Sequence, residues 1–192
     1  MTLVGVLAAD LSLSVGDYRA GERTFQLLTQ AVGRAGRGEL PGEAVIQTYQ
    51  PEHYAVVHAA NQDYESFYQE EILYREMLSY PPAAHMLAVQ IFAKEEESGK
   101  RLAKRLADVV KSSEDAGQEP AGTGQAAERL TVMGPSAAAI GKVNDIFRFV
   151  FYMKHAKYDK LVEIKDMLEE NIKVWAPRQE NVQFDFDPVN TL

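Results

Sequence analysis

The pattern of apolar and polar positions divides the chain into strands and helices. Residues 3–9 form an unbroken apolar run, which is typical of a strand buried on both faces of a parallel sheet. A second strand is predicted at residues 44–48. Between the two, an apolar stripe at helical spacing predicts a helix that begins near residues 17–19 and ends at Gly36 or Gly38. The order strand, helix, strand is typical of a crossover unit.

Two strands and one helix cannot form a sheet that is covered on both faces, so we expect the chain to begin in the middle of a domain. The next segment is helical: residues 53–60 and 64–78 both have helical patterns. The step Tyr80-Pro81-Pro82 ends the second helix, because proline disfavours helix in the residue before it. This segment predicts a connector between two domains.

The remaining residues, about 84–190, follow a βαββαβ order, which is typical of a ferredoxin-like domain. A polar, glycine-rich stretch at 112–128 is predicted to be a loop. The predicted fold class is therefore α/β followed by α+β. The predicted strands of this part are 85–93, 130–133, 146–154 and 182–186, and the predicted helices are 98–112 and 159–173.

The strand at 146–154 has two distinct faces, since neighbouring side chains point in opposite directions. One face is apolar and belongs to the core: Phe147, Phe149, Phe151 and Met153. The other face carries two cations around a tyrosine: Arg148, Val150, Tyr152 and Lys154. Lys142 in the preceding loop could extend this face. Two interpretations are open, a nucleic-acid surface that combines charge with a stacking ring, or a half-exposed strand with snorkelling cations.

Composition narrows the class of protein. The formal net charge of −8 argues against a protein that coats nucleic acid indiscriminately, but it allows a local basic patch. The absence of cysteine excludes disulfides and cysteine metal sites, and the scattered histidines lack metal-ligand spacing, so no metal site is expected. The sequence has no apolar run of membrane-spanning length and no secretory signal, which predicts a cytoplasmic protein without a membrane partner.

Residues 30–37 read Q-x-x-G-R-x-G-R and are called the arginine segment below. If the helix continues through residue 35, Gln30, Arg34 and Arg37 share one stripe, and two guanidinium groups point the same way. A guanidinium donates to two oxygens at once and suits a γ-phosphate. A solvated basic helix end is the alternative interpretation.

The arginine segment resembles motif VI of superfamily 2 helicases. A longer match is more specific: the run from Asp17 to Arg37 resembles the D-x-R-A-x-E-R-x-F-Q-L-L-x-Q-V-x-G-R-A-G-R stretch of bacterial primosomal replication-restart helicases (primosomal protein N-prime, PriA type). The Tyr80-Pro81-Pro82 step, the Gly134-Pro135 turn and the closing Asp185-Phe186-Asp187-Pro188 also have counterparts in that family.

The resemblance implies a division into three parts: residues 1–50 as part of a RecA-like second helicase lobe, residues 51–83 as the helical connector, and residues 84–192 as a C-terminal DNA- and partner-binding domain. It also implies an ATP and Mg²⁺ site shared with a first lobe. Arg37 would stabilise charge on the γ-phosphate, and Arg34 would bind phosphate or hold Arg37 in place. The other expected nucleotide-site residues are Gln30, Gly33 and Asp10; for Asp10 a cap or turn role is an open alternative.

The resemblance further implies DNA binding through Lys142, Arg148, Tyr152 and Lys154. The implied partners are forked and single-stranded DNA, single-strand-binding protein, other primosome proteins and the replicative helicase. Zinc is expected only in the full-length protein, because its cysteine cluster lies upstream. Without a Walker A string, this fragment alone is predicted to be inactive as an ATPase. A stand-alone ferredoxin-like module that binds protein or RNA is the alternative.

Overall fold

A computed structural model describes residues 3–35, 42–115, 129–175 and 180–189, and Gly36 and Arg37 lie outside these ranges. The chain divides into two compact units, Met1–Met77 and Leu78–Leu192. None of the helices in the described ranges is both long and apolar enough to cross a membrane. The first unit contains β1 (Leu3–Val6), α1 (Asp10–Leu13), α2 (Ala20–Val32), β2 (Glu43–Ile46), α3 (Tyr54–Ala60) and most of α4 (Tyr64–Leu78).

In the first unit, β1 and β2 pair in parallel, with Leu3 opposite Glu43 and Val6 opposite Ile46. The core lies between α2, α3 and α4, where the rings of Phe25 and Phe67 stack at 4.1 Å between centroids. The prediction that the first strand is buried on both faces is wrong, since Leu3 is 60% exposed. Within the described residues this sheet has two strands, and alternate residues of each strand are exposed.

The second unit contains β3 (His85–Ala93), α5 (Glu96–Asp115), β4 (Thr131–Val143), β5 (Ile146–His155), α6 (Tyr158–Trp175) and β6 (Glu180–Phe186). Its sheet has the order β4-β5-β3-β6, and each neighbouring pair is antiparallel. Both α5 and α6 contribute to a single core against one face of this sheet. The predicted mixture of α and β elements is confirmed.

The core face of the second unit follows the predicted alternation. Phe149, Phe151 and Met153 of β5 are buried together with side chains of α5 and α6. On α5, Leu102 and Leu106 recur at helical spacing and point into the same core. The opposite face of the sheet is therefore left to the other set of β3 and β5 side chains.

Two boundaries of the second unit differ from the prediction by more than two residues. The strand predicted at 130–133 continues to Val143, with register shifts after Met133 and after Ala137. Proline is tolerated there because β4 is an edge strand, and Gly134 takes a positive φ of 96° that glycine allows. Residues 112–115 belong to α5 rather than to a loop, whereas the rest of the predicted loop, 116–128, lies outside the described residues.

Candidate functional site

The described part of the arginine segment, residues 30–35, spans the last turn of α2 and the turn that follows it. Gln30 is exposed on the last helical turn, and the Gly33 amide donates to the Thr29 carbonyl at 2.9 Å. Arg34 is exposed in the turn that follows. The predicted continuation of the helix through residue 35 is wrong, because α2 ends at Val32. Gln30 and Arg34 still lie within one turn of each other, whereas Arg37 lies outside the described residues.

Asp10 begins α1 at the carboxyl ends of the two parallel strands. Its Oδ1 accepts a hydrogen bond from Thr48 Oγ1 at 2.6 Å, and its Oδ2 accepts one from the Tyr49 amide at 2.9 Å. These two hydrogen bonds lower the pKa of Asp10 below its ordinary value, and the bond from Thr48 has the larger effect. Asp10 is therefore a carboxylate that joins α1 to the segment after β2.

The rest of the run from Asp17 to Arg37 explains how α2 is held. Arg23 Nη1 lies 2.8 Å from the buried carboxylate of Asp17. Glu22 pairs with Arg75 of α4 at 3.2 Å. At Gly21, an added Cβ would lie 2.4 Å from Tyr54 Oη, so the closeness of α2 to α3 depends on glycine. Several residues of this run therefore hold α2 against the neighbouring helices.

In the second unit, the face of the sheet opposite the helices carries a mixed polar and aromatic cluster. It consists of Gln90 and Phe92 on β3 and Arg148 and Tyr152 on β5, and is called the open sheet face below. Arg148 is registered opposite Phe92, and its guanidinium carbon lies 5.4 Å from the centre of that ring. All four side chains are half-buried, and together with Ala138 they line a shallow depression.

The sequence prediction included Arg148 and Tyr152 but not Gln90 and Phe92. The missing information was the register of β3 on β5, which brings Phe92 beside Arg148. One signal was available, since Gln90 is the only polar residue inside an otherwise apolar strand core. A polar residue at a central strand position indicates a face that is not fully covered.

The two predicted lysines have different surroundings. Lys154 is buried: its Nζ donates to the Leu78 carbonyl at 2.6 Å and lies 3.9 Å from the centre of the Tyr80 ring. Burial lowers its pKa. Lys142 is half exposed at the β4–β5 turn, where it pairs with Asp145 at 3.0 Å. Lys142 can reach a ligand at the rim, whereas Lys154 is committed to holding the segment before β3.

Across the described ranges, no group of three or more His, Asp or Glu side chains is placed to hold a metal ion. The open sheet face therefore offers hydrogen-bond donors, one guanidinium and two rings, but no metal ligands. Such a surface can bind a polymer whose units carry a negative charge and an aromatic ring, because the guanidinium pairs with the charge and the side-chain rings stack.

Comparison with known proteins places this unit in a family. The family described as the primosomal protein N C-terminal domain matches residues 76–189, which is more than half of the chain. The chain belongs to this family. The resemblance seen in the sequence is thereby confirmed, and the matched residues correspond closely to the second unit that carries the open sheet face.

Relatives of the primosomal protein N family match nearly the whole chain. A replication restart protein PriA of Bacillus subtilis (strain 168) is 35% identical over 189 residues, which cover 98% of this chain and 22% of that protein. The replication restart protein PriA of Synechocystis sp. is 32% identical over 190 residues, 99% of this chain and 21% of that protein. That of Chlamydia trachomatis serovar D is 32% identical over 192 residues, 100% of this chain and 24% of that protein. The chain thus spans between about a fifth and a quarter of the length of these relatives.

Proposed function

We propose that this chain works as part of an ATP-dependent 3′–5′ DNA helicase that recognises stalled or abandoned replication forks and restarts replication by primosome assembly. Its own contribution is the arginine segment and a C-terminal domain that binds DNA and partners. The observation that carries the proposal is the open sheet face, since family membership and a surface suited to nucleic acid coincide in the second unit. The names of the relatives support the replication-restart role.

In this proposal, residues 1–50 are part of a RecA-like second lobe, and 51–83 connect it to residues 84–192. The parallel β1–β2 pair, with α2 lying between the strands in sequence, supports the assignment of the lobe. The second unit is proposed to be ferredoxin-like, because its four strands lie in the order fourth, first, third, second, and both helices pack on one face.

ATP and Mg²⁺ would bind between this lobe and a first lobe that supplies the Walker A string. Bound ATP would supply the free energy for strand separation. Arg34 is exposed and Gln30 is one turn away, so this donor set fits the phosphates of a nucleotide. Arg37 would complete the donor set and Gly33 would allow close approach, whereas Asp10 would position the neighbouring loop through Thr48 and Tyr49.

Replacing Arg34 by alanine in the complete helicase is expected to raise the KM for ATP about tenfold, because a charge-assisted hydrogen bond to phosphate is lost. DNA-stimulated ATP hydrolysis measures this. Arg101→Ala is the matched control, since Arg101 is an exposed arginine on α5. An Arg34→Ala enzyme with an unchanged KM and unchanged kcat would remove Arg34 from the ATP site.

At the open sheet face, Arg148 would contact phosphate, and Tyr152 and Phe92 would stack on bases of single-stranded DNA. Gln90 would donate to base or sugar oxygens. Lys142 would add charge at the rim, and Lys154 would act indirectly by fixing the backbone at Leu78. The proposed partners are forked and single-stranded DNA, single-strand-binding protein, other primosome proteins and the replicative helicase. Zinc would belong to parts of the full-length protein beyond this chain.

Binding of a fluorescein-labelled oligothymidine tests the DNA proposal. Replacing Tyr152 by leucine is expected to cost about 1–3 kcal/mol of binding free energy, because one base loses the aromatic ring on which it stacks. Arg148→Glu is expected to weaken binding and to reduce the slope of log Kd against log salt by about 0.7. Fluorescence anisotropy at several salt concentrations measures both effects.

The control for this experiment is Lys157→Glu. It makes the same charge reversal as Arg148→Glu, but at an exposed position after β5. It should leave the Kd within about twofold. Equal losses in Arg148→Glu and Lys157→Glu would show a nonspecific charge effect and would contradict a site on the open sheet face.

A further inference from the structure

The turn between α3 and α4 lies against the arginine segment. An added Cβ at Gly33 would lie 3.5 Å from Nε2 of Gln62 and 3.9 Å from the carbonyl oxygen of Gln30. The space beside Gly33, where any other residue would carry a side chain, is therefore next to the carboxamide of Gln62. Gly33 follows the last residue of α2 and precedes Arg34, so a connector residue meets the backbone from which the Arg34 side chain extends.

This contact is one end of a longer interface between α2 and α3. At the beginning of the two helices, Gly21 of α2 faces Tyr54 of α3, since an added Cβ at Gly21 would meet the Tyr54 hydroxyl. At their ends, Gly33 faces Gln62. The two helices therefore run side by side in the same direction, and both contribute to one core. In a close-packed pair of this kind, a shift at the end of α3 is transmitted to the end of α2.

The backbone of Gln62 has an uncommon conformation that its neighbours fix. Its φ of 53° lies in the left-handed region, which glycine and asparagine adopt more readily than glutamine does. The Gln62 amide donates to the Ala59 carbonyl at 3.1 Å, and the Asp63 amide donates to the His58 carbonyl at 2.9 Å. Asp63 Oδ1 in turn accepts from the Ser66 amide in the first turn of α4 at 3.0 Å. A glutamine at such a position points to a role for its side chain.

The end of α2 needs polar partners, because the last carbonyls of a helix have no following turn to donate to them. The Gly33 amide donates to the Thr29 carbonyl at 2.9 Å, and the Arg34 amide donates to the Ala31 carbonyl at 3.1 Å. The Arg34 hydrogen bond spans three residues rather than four, so the chain tightens as it leaves the helix. The carboxamide of Gln62 brings two donor hydrogens beside this turn and can donate to a carbonyl there.

We propose that Gln62 is a positioning residue for the nucleotide site: its carboxamide holds the turn at Gly33 so that the Arg34 guanidinium points to phosphate. Gln62 acts through Arg34 and does not touch the nucleotide. The inference rests on the proposed function, because the role of Gln62 follows from that of Arg34. It makes the turn between α3 and α4 the point at which the connector acts on the arginine segment.

Two variants of Gln62 in the complete helicase test the inference. Gln62→Ala removes the carboxamide, whereas Gln62→Asn shortens it by one methylene and suits the positive φ better. Both are expected to raise the KM for ATP about fivefold without changing kcat, which corresponds to the loss of about one hydrogen bond. Gln62 is exposed, so both variants are expected to fold, and Gln62→Asn should be at least as stable as the wild type in urea. A merely structural role would instead leave the KM of Gln62→Asn unchanged.

A second measurement does not depend on ATP hydrolysis. In both variants of the chain itself, the amides of Gly33 and Arg34 should exchange with solvent about fivefold faster by NMR, because the turn loses a polar contact. Gln69→Asn is the matched control, since it makes the same substitution at an exposed position on α4. It should leave the exchange of both amides and the KM for ATP within about twofold of the wild type.

A double variant separates this inference from the proposed function. Gln62→Ala combined with Arg34→Ala should raise the KM no further than Arg34→Ala alone, since both changes act through one guanidinium. Additive effects, a wild-type KM in Gln62→Asn, or unchanged amide exchange would overturn the role of Gln62 and leave that of Arg34 intact. An unchanged KM in Arg34→Ala would overturn the proposed nucleotide site, and the role of Gln62 with it.

Discussion

Replacing Arg75 by methionine is expected to destabilise the first unit by about 3–5 kcal/mol. Arg75 is 5% exposed, and its Nε donates to Glu71 Oε1 at 2.6 Å. The same guanidinium reaches Glu22 of α2 at 3.2 Å and lies 4.8 Å from the centre of the Tyr18 ring. Methionine would fill the space but leave the 8%-exposed Glu71 as a buried charge without its cation.

Hydrogen exchange measures this effect unit by unit. Protection of the amides of α2 and α4 should fall in Arg75→Met, whereas the amides of β3 in the second unit should keep their protection. The matched variant combines Arg75→Met with Glu71→Gln, which removes the buried charge while keeping an acceptor for Tyr54 Oη. We expect this double variant to regain at least half of the loss, and no recovery would contradict the buried-charge explanation.

Replacing Gly99 by alanine is expected to destabilise the second unit by about 1 kcal/mol. A Cβ at Gly99 would lie 2.8 Å from both Ala93 Cβ and the Phe149 ring, which would push α5 away from the sheet. Alanine has the better helix propensity, by about 1 kcal/mol, so the two effects oppose each other. Overpacking of a close-packed core costs about 1–3 kcal/mol and is expected to exceed the gain in propensity.

The single tryptophan, Trp175, reports on this unit, because it belongs to α6 and the centre of its ring lies 3.8 Å from the guanidinium carbon of Arg105 on α5. Urea unfolding followed by its fluorescence should show an earlier midpoint in Gly99→Ala. Gly141→Ala is the control, since the nearest atoms to a Cβ there lie at 3.7 Å, an ordinary contact. A Gly99→Ala protein as stable as the wild type would show that α5 has room to move.

Several elements could be predicted from the sequence because a single local signal decided them. β3 has the predicted bounds, His85–Ala93, since a proline pair precedes it and its apolar run is short. The two faces of β5 were assigned correctly because period-two alternation continues along the whole strand. Family membership followed from the long run after Asp17, whose residues Gly21 and Glu22 have packing roles in the structure.

Other features depend on tertiary contacts that local sequence patterns do not reveal. The length of β4 was missed, because Gly134-Pro135 usually ends a strand and here lies on a sheet edge. The partnership of Phe92 with Arg148 required the strand register. Lys154 and Arg148 point to the same face of β5. Lys154 is buried beside Tyr80, whereas Arg148 lines a depression, and alternation alone cannot distinguish these two environments.

The most direct test of the central claim, that the open sheet face binds single-stranded DNA, is amide chemical-shift mapping of the chain with oligothymidine. We predict the largest shifts at Gln90, Phe92, Arg148 and Tyr152, and small shifts on α5 and α6, which cover the other side of the sheet. Shifts concentrated on α5 or α6, or no shifts at a saturating concentration of DNA, would contradict the account.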